Sequence, residues 1–191
     1  MLPSQTRARS PRGAAPSSKF ASTATMPPLP ESFARADLEA AGFAGWRSWS
    51  ELRAGALRAA PSGPAAYVVY RPSSAAPKFL GANPGGRHKG QDPTVTLQAL
   101  EANWVPGSHV VYIGKANVAD RRLKQFADFG AGKPVGHWGG RYIWQLADSD
   151  ELLVAWHEVS WMETARDYEK RLLAHFAQLH GGARPYANLV G

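Results

Sequence analysis

The chain has no cysteine among its 191 residues, and only three methionines. Without a thiol there is no disulfide framework, no Cys-ligated zinc or iron–sulfur centre, and no cysteine nucleophile. Long apolar runs are missing too. Runs such as Val110 to Ile113 and Leu152 to Trp156 fall far short of the roughly 20 residues that a membrane-spanning helix needs. Acid is the scarcer charge: 15 Asp plus Glu stand against 22 Lys plus Arg, a formal net charge of +7. That excess favours a polyanionic partner without specifying one. An apolar share of 44% can build a core, and the length suits one domain with an extension.

The positive charge is unevenly spread. Residues 1–30 carry four basic residues, no acid and six of the fifteen prolines. They lack the apolar run of a secretory signal. A disordered leader or tail, a false start ahead of Met26, and an organelle transit peptide are all compatible with that composition. The expected location is the cytoplasm, or an organelle if residues 1–25 are a transit peptide. Residues 31–60 balance at zero, residues 61–147 hold ten Lys plus Arg against four acids, and residues 148–191 hold four against seven.

Periodicity predicts an α+β fold, a small central antiparallel sheet flanked by helices. Residues 31–63 read as a helical N-terminal extension, packing through Phe33, Leu38, Phe43, Trp46, Trp49, Leu52 and Leu57. Strands are expected at Ala66 to Tyr70, His109 to Ile113, Arg141 to Leu146 and Leu152 to Glu158. Helices are expected over 94–104 (opened by Asp92-Pro93), over 118–127 (capped by Asn117 with Asp120) and over 161–180. Gly114 to Asn117 reads as a turn, and Gly181-Gly182 stops the last helix. Two glycine-rich basic loops, 72–92 and 130–140, punctuate the chain.

A few residues misfit this pattern. Glu169 borders the apolar stripe of the last helix, where a carboxylate must be paired, metal-bound or at the core's edge; pairing with Arg166 or Arg171 is the plain structural alternative. Arg122 sits on the inner side of its helix between Val118 and Phe126, which a snorkelling stem also explains. Tyr67 shares a face with Val69, and Tyr112 with Val110; suitable pairing would bring both hydroxyls to one side. Gly114 permits close backbone approach, or merely a tight turn.

Taken in order, Tyr112-Ile113-Gly114-Lys115-Ala116 with Arg122 resembles the second signature of the GIY-YIG nuclease superfamily. Ala65-Ala66-Tyr67-Val68-Val69-Tyr70 resembles the first, with alanine where glycine is usual. Tyr168-Glu169-Lys170-Arg171-Leu172-Leu173 is similar to the family's metal-binding helix, and Pro185-Tyr186-Ala187-Asn188 to its terminal element. The likeness covers residues 64–189, so 64–191 form the expected nuclease domain, with an insertion at about 75–107. A stand-alone or restriction-like branch is indicated.

The resemblance implies hydrolysis of DNA phosphodiesters with one divalent cation, Mg²⁺ or Mn²⁺, held by Glu169. Arg122 would grip a phosphate oxygen, Tyr67 would orient the attacking water, and Tyr112 would complete that network. Lys115 would assist Tyr67 or act as the base, and Asn188 would fix the terminal segment. His137 would assist proton transfer, with a DNA-backbone contact or a structural hydrogen bond as equal alternatives. DNA contacts are expected from Lys78, Arg87, His88, Lys89, Lys124, Lys133 and Arg141, where flexible glycine loops and Lys or Arg meet phosphates. No membrane partner is expected, and cutting both strands would take two turnovers or a homodimer. The competing readings are a catalytically inactive binding module of the same fold and a structure-specific repair nuclease acting with partners.

Overall fold

β2 (Ala65–Tyr70) is the central strand. It lies between β3 (Val110–Ala116) and β4 (Leu153–Glu158), antiparallel to both. Its residues Ala65 to Val69 are buried on both faces, which is why it reads as a continuous apolar run rather than an alternation. The computed structural model, which describes residues 26–189, adds a strand that the sequence does not announce. β1 (Ala44–Ser48) pairs antiparallel with β4, giving the order β1-β4-β2-β3.

The extension expected to be helical is therefore mixed, with α1 (Arg35–Ala40) before β1 and α2 (Trp49–Arg53) after it. A bulge between Ala44 and Arg47 hides the strand from pattern reading. It uses Gly45 at φ +102° and Trp46 at φ +48°. A side chain at 45 would strike the ring of Trp156.

Four further expectations are corrected. α3 (Leu97–Asn103) starts later than Asp92-Pro93, because Thr96 is its N-cap and its hydroxyl accepts from the Ala99 amide. Gly114 to Ala116 continue β3 rather than turning. α4 (Ala119–Gly130) begins after Val118 with no side-chain cap, so Asn117 does not cap it. Its first amides donate instead to the carbonyls of Gly63 and Pro61. Arg141 to Leu146 is not a strand: α5 (Arg141–Trp144) is a single helical turn, and Leu146 forms only an isolated bridge with Phe79.

α6 (Ala165–Leu179) is shorter than the span 161–180, because Thr164 caps it. Trp161, expected to pack, stands 85% exposed ahead of the helix, whereas Tyr168, Leu172 and Phe176 are buried. Gly181 and Gly182 end α6 with positive φ.

Helices cover both faces of the sheet. On one side α2, α4 and α5 meet through Trp49, Phe126 and Trp144, with ring centroids 4.6–5.8 Å apart. On the other, α1 and α6 close over Ala66, Val68, Ile113 and Ala155. Residues 1–25 of the expected leader lie outside the described residues. Its last part rests on α6, where Tyr168 donates to the Pro28 carbonyl and His175 to that of Pro30, both at 2.8 Å.

The insertion is tied down by one buried amide. Gln145 accepts from the Val95 amide at 2.8 Å and donates to the carbonyls of Val95 (2.8 Å) and Leu80 (2.9 Å). Asn83 adds a donation to the Arg141 carbonyl at 2.7 Å. Gln145→Ala strands three backbone groups, so a loss of about 2 kcal/mol or more is expected in urea unfolding, with faster proteolysis between residues 78 and 95. An unchanged unfolding midpoint would show that the insertion is held by other means.

Candidate active site

The pairing of β2 with β3 sets the site. Tyr67 lies opposite Gly114 and Val69 opposite Tyr112, so Tyr67, Tyr112 and Gly114 share the face that α4 covers. The ladder then slips, with Tyr70 opposite Val110 and Val111 as the extra residue. This bulge sends Val110, expected beside Tyr112, into the core on the other face. The tyrosine rings sit 6.0 Å apart. A Cβ on Gly114 would come within 2.5 Å of Tyr67 Cζ and 2.7 Å of its hydroxyl. Glycine is required here because the Tyr67 ring folds over the backbone, and not for a turn.

α4 presents Arg122 to this pair. Leu123 and Phe126 anchor the helix in the core, and Arg122, partly buried, points its Nη1 toward the Gly136 carbonyl at 3.4 Å. Its charge reaches Tyr67, Tyr112, His137 and Glu169. Burial nevertheless raises Tyr67 well above the usual phenol range, reinforced by Tyr112, with Arg122 only partly opposing. Burial also raises Tyr112.

Lys115 and Glu169 come from the opposite face of the sheet. Lys115 follows Ile113 on the side that α6 covers, and Glu169 is half-buried on α6. The two sets meet because β3 is an edge strand, and Glu169 is felt by Tyr112 around it. Arg171, one expected partner of Glu169, instead binds Glu163 at 2.7 Å. Desolvation raises the Glu169 carboxyl against the pull of Lys115, Arg166 and Arg122.

His137 is buried, its ring stacked 3.8 Å from that of Phe126, with no hydrogen-bond partner on either nitrogen. Burial first, and then the Arg122 charge, holds it well below the usual imidazole range. It is therefore neutral at pH 7. Asn188 imitates a neighbouring strand on β3. Its Oδ1 accepts from the Ile113 amide (2.8 Å), its Nδ2 donates to the Ile113 carbonyl (2.7 Å), and Ala187 donates to Val111 (2.8 Å).

The expected DNA contacts sit mostly on the two glycine-rich loops, which touch where Gly86 packs on the Lys133 backbone. Arg87 pairs with Asp92 at 2.7 Å. Lys124 and Lys133 share Asp128 at 2.6 and 2.8 Å. Arg141 lies over Trp138 and donates to its carbonyl. Lys78 and Lys89 are exposed, and His88 sits near Gly136.

Beside the cluster, Lys115 to Val118, Arg121, Arg122 and Gln125 line an open cleft of about 310 Å³. Arg121 and Gln125 were not singled out by sequence, although the adjacent pair Arg121-Arg122 on a short helix was the available signal. Among the described residues there is no group of three or more His, Asp or Glu side chains able to hold a metal, and no helix long and apolar enough to cross a membrane. Glu169 by itself fits an ion that keeps most of its waters, as Mg²⁺ does. Comparison of the chain with protein-family models, curated proteins and solved structures yields no match.

The buried imidazole makes stability pH-dependent. An unfolded histidine takes up a proton near pH 6.5, whereas folded His137 resists it, so its contribution is full above that pH and declines as pH falls. Urea unfolding should weaken between pH 7.5 and 5.5, and His137→Phe should lessen that loss, leaving the share of His157, which burial also lowers. A pH slope identical in the variant would exclude His137 as a source.

Proposed function

We propose that the protein is a metal-dependent DNA endonuclease, a stand-alone or restriction-like enzyme of the GIY-YIG kind. The observation that carries this reading is the convergence of Tyr67, Tyr112, Lys115, Arg122 and Glu169, from β2, β3, α4 and α6, around one edge of the sheet. Nothing in ordinary packing requires a half-buried carboxylate, two tyrosines and two cations to gather there. A nucleophilic displacement at phosphorus uses such a set.

Glu169 would hold Mg²⁺ or Mn²⁺, which when bound supplies positive charge at the leaving oxygen and the phosphoryl group. Arg122 offers a planar guanidinium to a phosphate oxygen, strengthened by its partly desolvated setting. Tyr67 keeps its proton at neutral pH and so orients the attacking water by hydrogen bonding rather than by taking its proton. Lys115, beside Glu169, adds charge near the phosphate. Neutral His137 lines the wall behind Arg122 without competing for the anion. Asn188 fixes β3, and with it Tyr112.

The test is nicking of supercoiled plasmid and of branched DNA with Mg²⁺ or Mn²⁺. Glu169→Ala should lower the rate by about 100-fold or more. Arg122→Ala should cost roughly 10²–10³-fold in turnover while leaving DNA affinity within about threefold, as expected of a group acting on transition-state charge. Wild-type protein that binds DNA but never nicks it would make this a binding module; Glu169→Ala cleaving at the parental rate would remove the metal assignment.

A further inference from the structure

The cleft beside the cluster has a continuation. A second groove of about 430 Å³, lined by Leu57, Arg58, Val118, Asp120, Arg121 and Lys124, shares Val118 and Arg121 with the first. The two together expose five Lys or Arg side chains against one acid, Asp120. That acid is already engaged, accepting from the Arg121 amide. Lys124 lies one helical turn beyond Arg121, about 4.5 Å along the axis.

On this surface several unpaired cations are gathered together. Most arginines elsewhere are neutralised locally: Arg35 by Glu39, Arg47 by Glu51, Arg71 by Asp148, Arg87 by Asp92 and Arg171 by Glu163. Among the described residues, Arg58, Lys115, Arg121 and Arg122 meet no carboxylate within 4.0 Å. Lys124 is the exception on this face, paired with Asp128. Unpaired cations in a row exchange their counterions for phosphates with a gain in entropy.

The row is also rigidly placed. Arg58 donates from Nε to the Gly55 carbonyl at 3.2 Å, within a short 3-10 turn at Ala56–Ala59. The segment that follows accepts the first amides of α4 through Pro61 and Gly63 at 2.9 and 3.1 Å. The extension thus fixes Arg58 relative to Arg121 and Arg122. Val118, 40% exposed, supplies apolar surface between them, suited to a deoxyribose.

From this geometry we infer that the DNA strand flanking the scissile phosphate runs from Arg122 over the outer face of the α4 N-terminus, its flanking phosphates bound in turn by Arg121 and Arg58. The inference rests on the nuclease reading and adds a binding role for the N-terminal extension. It is tested by fluorescence anisotropy of a labelled 20-base-pair duplex in EDTA, across a salt series, which needs no cleavage. Arg58→Ala and Arg121→Ala should each weaken binding several-fold and flatten the slope of log affinity against log salt by about 1, and the double variant by about 2. Arg35→Ala, on the opposite face, should leave the slope unchanged. Slopes of the Arg58 and Arg121 variants equal to wild type, or no duplex binding by wild type, would overturn the track. Flattened slopes in a protein that never nicks would keep the track and refute the nuclease reading; nicking with unaltered slopes would do the reverse.

Discussion

The ring of Tyr67 lies against the bare backbone of Gly114, and the architecture around the site follows from that contact. The contact can exist in only one register of β2 on β3. A slip by one residue would turn Tyr67 toward α6 and bring a side chain where none fits. With the register held, Tyr112 falls two residues from Gly114 on the same face, within 6.0 Å of the Tyr67 ring. The bulge at Val111 then lets the strand change its facing, so that Val110 serves the opposite core. One small residue thereby coordinates two aromatic side chains and two hydrophobic clusters.

A sheet normally separates what its two faces carry, since packed layers lie about 10 Å apart. Here the tyrosines, Arg122 and His137 belong to one face and Lys115 and Glu169 to the other. Only an edge strand allows such groups to sense one another, and β3 is that edge. An open edge invites unwanted pairing. The chain answers with Asn188 and Ala187, which occupy the hydrogen-bonding groups of Val111 and Ile113 while Lys115 and Ala116 line the cleft. Electrostatically, Arg122 is the common neighbour. Its charge favours the ionised forms of Tyr67 and Glu169 and disfavours protonation of His137.

Much of this was legible in the sequence, and the failures have physical reasons. β2 and β3 could be read because β-branched and aromatic residues cluster there, and α6 because Tyr168, Leu172 and Phe176 recur at helical spacing. β1 was invisible because its bulge puts glycine and a positive-φ tryptophan inside a five-residue strand. Arg141 to Leu146 imitates a strand in composition, but Trp144 and Ile143 are recruited to the aromatic core by a helical turn. The start of α4 could not be inferred from Asn117, because its capping groups, Pro61 and Gly63, are distant in sequence. Within the cluster at the sheet edge, Glu169 and Arg122 stood out in the sequence because their placement conflicts with simple amphipathicity. The burial of His137 did not, since Gly-His-Trp-Gly-Gly reads as a solvated loop until Phe126 is seen to stack on it.

Gln145 and Asn83 hold the insertion from inside, through main-chain groups, while Lys78, Leu80, Lys89 and Leu97 project from it into solvent. Scaffold and display are thereby assigned to different residues. The displayed side chains stand largely in solvent, so altering them removes little of the packing that holds the insertion. Whatever they touch meets a surface already ordered, with little conformational entropy left to lose on contact. The molecule thus combines a tightly packed sheet edge with a neighbouring surface whose side chains carry little of the fold.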